Sequence, residues 1–229
     1  MANEAEYNRL LDLVKKRRTV RQFKPDPVPD EFITKIVEVA RWAPSAFHTQ
    51  PWEFVIIKDE GIKNKIVDIL NRESPAIKDP AKESTQRKSF KDAPVFILLL
   101  CDWRAKVGLP NQPTEINSQV TNLYCSSSAN AFLYMHLAAT SLGLASQWYT
   151  ATSRAEIEQS IKEIIGIPEH LTIYDMMIVG YEDNPPSPKI IRDTNEMMHY
   201  DACGKQDFRT DEEVLAYAEI TRAWCISEH

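Results

Sequence analysis

Arg17, Arg18 and Arg21 fall within the run Arg17-Arg18-Thr19-Val20-Arg21, and a fourth arginine, Arg192, stands near the other end of the chain. A guanidinium offers a rigid fork of N–H donors and stays charged at any working pH, which suits it to phosphate oxygens. If the run continues a helix, Arg18 and Arg21 share a face, as do Arg17 and Arg21. The alternative is a solvated helix end whose cations complement the C-terminal dipole. Thr19 and Val20 interrupt the run, so it reads as a local anion site rather than a basic tail.

A second polar constellation lies in Ala43-Pro44-Ser45-Ala46-Phe47-His48-Thr49-Gln50-Pro51-Trp52. Two prolines fix the backbone where a helix must turn into a strand, and Ser45, His48 and Gln50 present polar groups between them. Such a loop suits a planar ring rich in amides and carbonyls; a plain connection is the alternative. Neither G-x-G-x-x-G nor G-x-x-x-x-G-K-[ST] occurs, and the chain has 6 glycines. A bound phosphate would therefore be held by side-chain cations rather than by a nest of backbone amides, and no dedicated dinucleotide domain is expected.

The elements that must position these groups are legible from periodicity. With 229 residues, the chain suffices for a substantial core; 43% are hydrophobic. A balance of 27 basic against 33 acidic residues gives −6, which disfavours a nucleic-acid partner. The polar, acidic start reads as no signal peptide, and Val95 to Cys101, the longest apolar run, is too short to cross a bilayer. Cys101, Cys125, Cys203 and Cys225 are scattered, without metal-site spacing, as expected of thiols in a reducing cytoplasm.

Helices are expected over residues 3–17, from an Asp30 cap to Pro44, through Ile62 to Leu70, and over residues 125–142, where the pattern is apolar nearly all round and demands burial. A Ser153/Glu156 capping box opens another helix, ended by Gly166 and Pro168, and a Thr210/Glu213 box opens the last. Strands are expected at 53–58, 94–101 and 171–181. Residues 71–92, 103–122 and 182–208 read as irregular, the first two as loops over a site entrance. His136 reads as a satisfied core histidine and His199 as solvated. The mixture without strict alternation makes α+β the expected class.

Arg17-Arg18-Thr19-Val20-Arg21-Gln22-Phe23, Ala43 to Ala46, Gln50-Pro51-Trp52, and Gly180-Tyr181 with Pro188 to Arg192 together resemble the signature segments of the nitroreductase family, over roughly residues 10–195. The resemblance implies an α+β fold with a central, mostly antiparallel sheet flanked by helices, in an intertwined homodimer with FMN sites at the subunit interface. It implies that Arg17, Arg18, Thr19 and Arg21 hold the FMN phosphate and ribityl chain, with Arg192 closing the phosphate site. Pro44, Ser45, Ala46 and Gln50 would lie along the isoalloxazine. Trp148, Tyr149 and Thr150 would stand beside the ring, Thr150 as the candidate contact to flavin N5, while Phe47 and His48 are candidates for the substrate. Ala145 replaces a glycine usual in relatives, which makes the backbone path there a departure to follow.

On this reading the domain spans residues 1–195, and residues 196–229 form an extension with a helix that packs on the partner subunit. Its activity would be ping-pong hydride transfer from NAD(P)H through flavin N5 to a nitroaromatic, quinone or activated alkene. The His48-Thr49 pair, present in some dehalogenating relatives, raises reductive dehalogenation of halogenated phenols as an alternative. Residues 60–92 contain no tyrosine, so the Glu/Tyr/Lys lid for an iodotyrosine zwitterion is not expected there. A flavin-storing or sensing protein without turnover is the alternative of another class. No metal is expected.

Overall fold

The computed structural model describes residues 3–72, 90–110, 112–186 and 188–227. The chain divides into two compact units, Met1–Asn184 and Pro185–His229. The first unit begins with helix α1 (Glu4–Lys16), capped by the Asn3 side chain, and continues through β1 (Phe23–Lys24) and α2 (Asp30–Ala40). Then come β2 (Trp52–Ile57), α3 (Glu60–Arg72), β3 (Val95–Asp102), α4 (Ser118–Ser141), β4 (Ala145–Tyr149), α5 (Ala155–Ile165) and β5 (Leu171–Glu182). The second unit holds two short 3-10 turns, at Thr194–Glu196 and Lys205–Asp207, and helix α6 (Asp211–Ser227).

The strands form one five-stranded sheet in the order β1-β5-β3-β2, with β4 also paired to β5. Every ladder is antiparallel, as expected for the class. Strand β3 is buried along nearly its whole length because it is covered on both faces. Phe96, Leu98 and Leu100 meet Ile66, Ile69 and Leu70 of α3 and Ile157 and Ile161 of α5, while Val95, Ile97 and Leu99 meet Ile33 and Ile36 of α2 and Phe132 and Met135 of α4. At about 25 cal/mol per Å2, burial of this apolar surface on both faces is the main drive holding the three layers together.

The register slips once. Leu99 pairs with Asp175 but Leu100 pairs with Ile173, which leaves Tyr174 as an extra residue in β5. On the far side of this bulge Ile173 faces the α3/α5 layer, as do Met176 and Ile178, although the residue numbers change parity. Tyr174 packs with the α2/α4 layer, and Asp175 reaches Trp148 in that same layer. A bulge is the device that turns two successive side chains to one face.

Several expectations are corrected. Asp30 is the first residue of α2 rather than its cap; Pro29 holds the cap position without a side-chain bond. The Ser153/Glu156 box does not form: Ser153 sits in a 3-10 turn and donates to the Thr150 carbonyl, and α5 starts after Arg154. Residues 103–122 are largely ordered, with a 3-10 helix at Trp103–Gly108 and α4 beginning at Ser118, where Asn117 Oδ1 accepts from Val120 N. Asn71 and Arg72 belong to α3, and the remainder of the expected 71–92 loop lies mostly outside the described residues. The Thr210/Glu213 box does form, with reciprocal bonds of 2.8 and 3.3 Å.

Glycine is required at Gly143, Gly166 and Gly180, and Gly166 ends α5 at φ +83°. Gly143, at φ +76°, ends α4, and Ala145 then enters β4 as an ordinary strand residue, so the expected second glycine is not needed. Gly180 lies against Pro94, where an added Cβ would come within 2.6 Å of Pro94 Cδ. Among the described residues no helix is long and apolar enough to cross a membrane.

Candidate active site

Helix α1 stops at Lys16, and Arg17 already has extended backbone angles (φ −60°, ψ 120°). The arginine run is therefore not helical, and the helical spacing expected for it does not apply. Thr19 instead makes a bridge to Ser146 of β4, and Val20 N donates to the Ser146 carbonyl at 3.0 Å. Successive side chains of such a segment point to opposite sides. Arg18 and Val20 line one cleft, with Lys16, Thr140, Ser146 and Glu182, whereas the charge of Arg17 bears on His136 of α4. Arg17 is half-buried, and burial together with the Arg18 charge holds its guanidinium below the usual range. Two like charges side by side, one of them partly desolvated, form a place where an anion lowers the energy of both.

His136 is 2% exposed. Its Nδ1 is 2.7 Å from Ser146 Oγ, while its Nε2 is buried without a partner among the described residues. Burial, and secondly Arg17, pushes its pKa down to about 3, so the ring is neutral at working pH. The core histidine of the sequence reading is thus only half satisfied. Its face stacks on Trp148 at 5.6 Å and 11°, and Phe132 packs edge-on against the imidazole and tilted against the indole. Trp148 Nε1 donates to Asp175 Oδ2 at 2.6 Å. Asp175 is 6% exposed and no cation lies against it among the described residues; burial raises its pKa to about 6 against the Trp148 hydrogen bond. Ser146, His136, Trp148 and Asp175 therefore form one continuous polar and aromatic line. Sequence reasoning missed Asp175, and its available signal was an acid set inside an otherwise apolar strand.

The proline-bracketed loop docks on the same helix. Ala46 N donates to Ser127 Oγ at 3.0 Å, and Asn130 Nδ2 donates to the Pro44 carbonyl at 3.1 Å. Ser45 is turned inward, its Oγ accepting from Gln50 N at 3.0 Å, and Gln50 Nε2 lies 3.0 Å from His48 Nε2. Phe47, His48 and Gln50 all have positive φ (49°, 57° and 45°), a conformation that costs an L-residue about 1–2 kcal/mol. Phe47 is 64% exposed in spite of its size. Ser127 and His136 are nine residues apart on α4, so at 1.5 Å per residue the loop anchor and the arginine end are separated by about 14 Å. Tyr149 packs in the α3/α5 layer against Phe90 and is buried enough for its phenol pKa to be raised. Thr150 follows β4 directly. Arg192 stands in the second unit, where its Nη2 donates to the Glu196 carbonyl at 2.9 Å.

A family model described as the nitroreductase family matches residues 14–181. The chain belongs to the nitroreductase family. Among relatives, an iodotyrosine deiodinase from Thermotoga neapolitana is 30% identical over 194 residues, covering 80% of this chain and 93% of the relative. Among solved nitroreductase-like structures, an iodotyrosine deiodinase bound to FMN and 3-iodo-L-tyrosine superposes with a TM-score of 0.67 at 26% identity, covering 85% of this chain and all (100%) of the other. An NADPH:FMN oxidoreductase from Vibrio harveyi complexed with NAD+ gives a TM-score of 0.70 at 18% identity, over 93% of this chain and 85% of that one. At that identity it supports the fold alone.

Proposed function

We propose that this nitroreductase-family enzyme binds FMN and uses it to carry reducing equivalents from NAD(P)H to an electron-poor acceptor. The observation that carries the reading is the half-buried Arg17 beside Arg18, facing a neutral His136 whose Nε2 is unpartnered. These residues fit an anionic, polar cofactor: an anion offsets the partly desolvated charge of Arg17 and its repulsion with Arg18. Bound FMN would supply the redox chemistry, accepting hydride at N5 in one half-reaction and delivering it in the other. The protein supplies the rest. Arg17, Arg18, Thr19 and Arg21 hold the phosphate end; Arg192 is a further phosphate candidate from the family resemblance alone. Trp148 and Thr150 sit beside the ring, Thr150 offering its hydroxyl to N5, while the Tyr149 side chain, expected there too, packs on the other face of β4. Pro44, Ser45, Ala46 and Gln50 line the ring, and Phe47 and His48 meet the acceptor.

On this reading the protein acts as a homodimer with its flavin sites at the subunit interface, as the family resemblance implies. The second unit also exposes Met197, Met198, Tyr200, Phe208, Leu215 and Ile220, apolar surface suited to a partner subunit. Reductive dehalogenation of a halogenated phenol is the second reading, favoured by the His48-Thr49 pair and by the Thermotoga deiodinase among the relatives.

Anaerobic mixing with NADH or NADPH should bleach the flavin absorbance of the purified protein, and a nitroaromatic, quinone or halophenol should restore it. Iodide release from 2-iodophenol distinguishes the dehalogenase. A flavin that stays oxidised with both nicotinamides would leave only storage or sensing of FMN.

A further inference from the structure

Beneath the bulge in β5 lies a cavity of about 380 Å3, with Trp103, Tyr124, Tyr174, Ser128, Thr150 and Asp175 among its walls. It is large enough for one substituted aromatic ring, and three of these walls are aromatic. Trp103 is fixed by its indole N–H, which donates to Thr172 Oγ1 at 2.7 Å, and it meets Tyr124 edge-on at 5.4 Å. Tyr124 and Ser128 are fully buried; Tyr124 lies beside Thr49 and Ser128 beside Cys101, neither in ordinary hydrogen-bond geometry. Thr150, the residue proposed to face N5, also lines this cavity, which on that reading adjoins the flavin.

Asp175 is the group without a structural account. A buried carboxylate is normally paired with a cation or held by several donors, because desolvating the charge is expensive. Here one neutral indole N–H takes a single lone pair of the four or so that a carboxylate offers. The bulge at Tyr174 interrupts the sheet ladder, and its effect is to bring both Tyr174 and Asp175 to this cavity. An apolar residue at 175 would serve the core better, unless the remaining lone pairs are kept for something that enters.

The geometry points to Asp175 as the residue that selects the acceptor, by receiving an O–H or N–H carried on an aromatic ring lodged in this cavity. The inference rests on the flavin-reductase reading of the site. Its chemical content is a preference for acceptors with a hydrogen-bond donor, such as phenols, benzylic alcohols or anilines, over equally electron-poor rings that lack one.

Matched pairs isolate this. The protein is assayed with 4-nitrobenzyl alcohol against its methyl ether, which share the nitro group that is reduced and differ in the hydrogen-bond donor. The native protein should favour the donor-bearing member in kcat/KM by roughly 10- to 100-fold, the size of one charged hydrogen bond. Asp175→Asn keeps an oxygen for Trp148 Nε1 and turns an N–H toward the cavity, so the preference should vanish or reverse, with FMN content and the NAD(P)H half-reaction unchanged. Binding of benzyl alcohol against benzyl methyl ether, followed by tryptophan fluorescence in the native protein, needs neither turnover nor a folded variant. Equal treatment of each pair by the native protein would overturn the inference, as would a preference that survives Asp175→Asn. Loss of FMN from that variant would also overturn it, by making Asp175 a cofactor ligand. If NAD(P)H fails to reduce the flavin while fluorescence still separates the pair, the reductase reading fails and selection by Asp175 stands.

Discussion

The two faces of the sheet are built from the same strands yet differ in kind. Toward α3 and α5 the layer is apolar, and its buried lysines at the margin are accounted for: Lys63 Nζ donates to the Ala93 carbonyl, and Lys162 pairs with Glu158. Toward α2 and α4 the same strands meet His136, Ser128 and Asp175, each buried and each incompletely satisfied. Packing explains the first face apart from Gln147, which shares the α3/α5 side of β4 with Ala145 and Tyr149 and whose Oε1 is buried without a partner among the described residues. The second gives up stability at identifiable atoms, and such local violations concentrate where a protein acts.

The sharpest way to break this comparison is a cavity on the quiet face. Ile161→Ala, at a position with no exposure, should destabilise the fold by about 2–5 kcal/mol and lower Tm, while FMN affinity per folded molecule is retained. Chemical denaturation with a parallel flavin titration reads both. If FMN affinity falls with stability, the faces are not independent.

On the active face the expected effect is the reverse. Arg17→Ala should weaken FMN binding by about 10- to 150-fold, from the loss of a charged hydrogen bond worth roughly 1.5–3 kcal/mol, with little loss of apoprotein stability. Arg18, which lines the cleft beside Val20 and Ser146, should hold the same phosphate, so Arg18→Ala should also weaken binding in the same titration. Unchanged affinity in Arg18→Ala would take that guanidinium off the phosphate.

The acid limb of stability tests the buried groups. His136 has a folded pKa near 3 against an ordinary 6.5, so the unfolded state takes up the proton first and stability declines as pH falls below about 6.5. Asp175 acts oppositely: its pKa is raised to about 6 from 3.8, so its burial penalty is fully present above pH 6 and is relieved as pH falls toward 4. Denaturant midpoints between pH 7 and pH 4 should therefore show a shallower acid slope for His136→Asn and a steeper one for Asp175→Asn. Parallel slopes in all three proteins would remove both groups from the account.

The smallest expected change lies in the strained loop. Phe47→Gly relieves a positive φ and should leave stability equal or up to about 1 kcal/mol higher, whereas Phe47→Val, β-branched at the same angle, should lower it. A gain from valine would mean the loop relaxes freely.

Sequence alone determined most of the element order, because local signals suffice for it: the 3.6-residue stripes of α2, α3 and α5, the continuous apolar run of β3, Gly166 closing α5 and the Thr210/Glu213 box opening α6; the short strands β1 and β4 were not among the expected elements. The arginine run and the Pro44–Pro51 loop were legible as residue types, and the family resemblance rested on them. Their geometry was not. The arginines sit on extended backbone because Thr19 and Val20 are recruited by Ser146, more than a hundred residues away, and no local pattern encodes that bridge. The start of α4 was hidden because Ser118, Gln119 and Thr121 are polar and the burial of Val120 and Tyr124 comes from strands elsewhere. Asp175 was invisible for the same reason. A bulge is a relation between two strands, and only the pairing of β3 with β5 decides that Tyr174 and Asp175 share a face, that Trp148 reaches the carboxylate, and that the acid is left with capacity to spare.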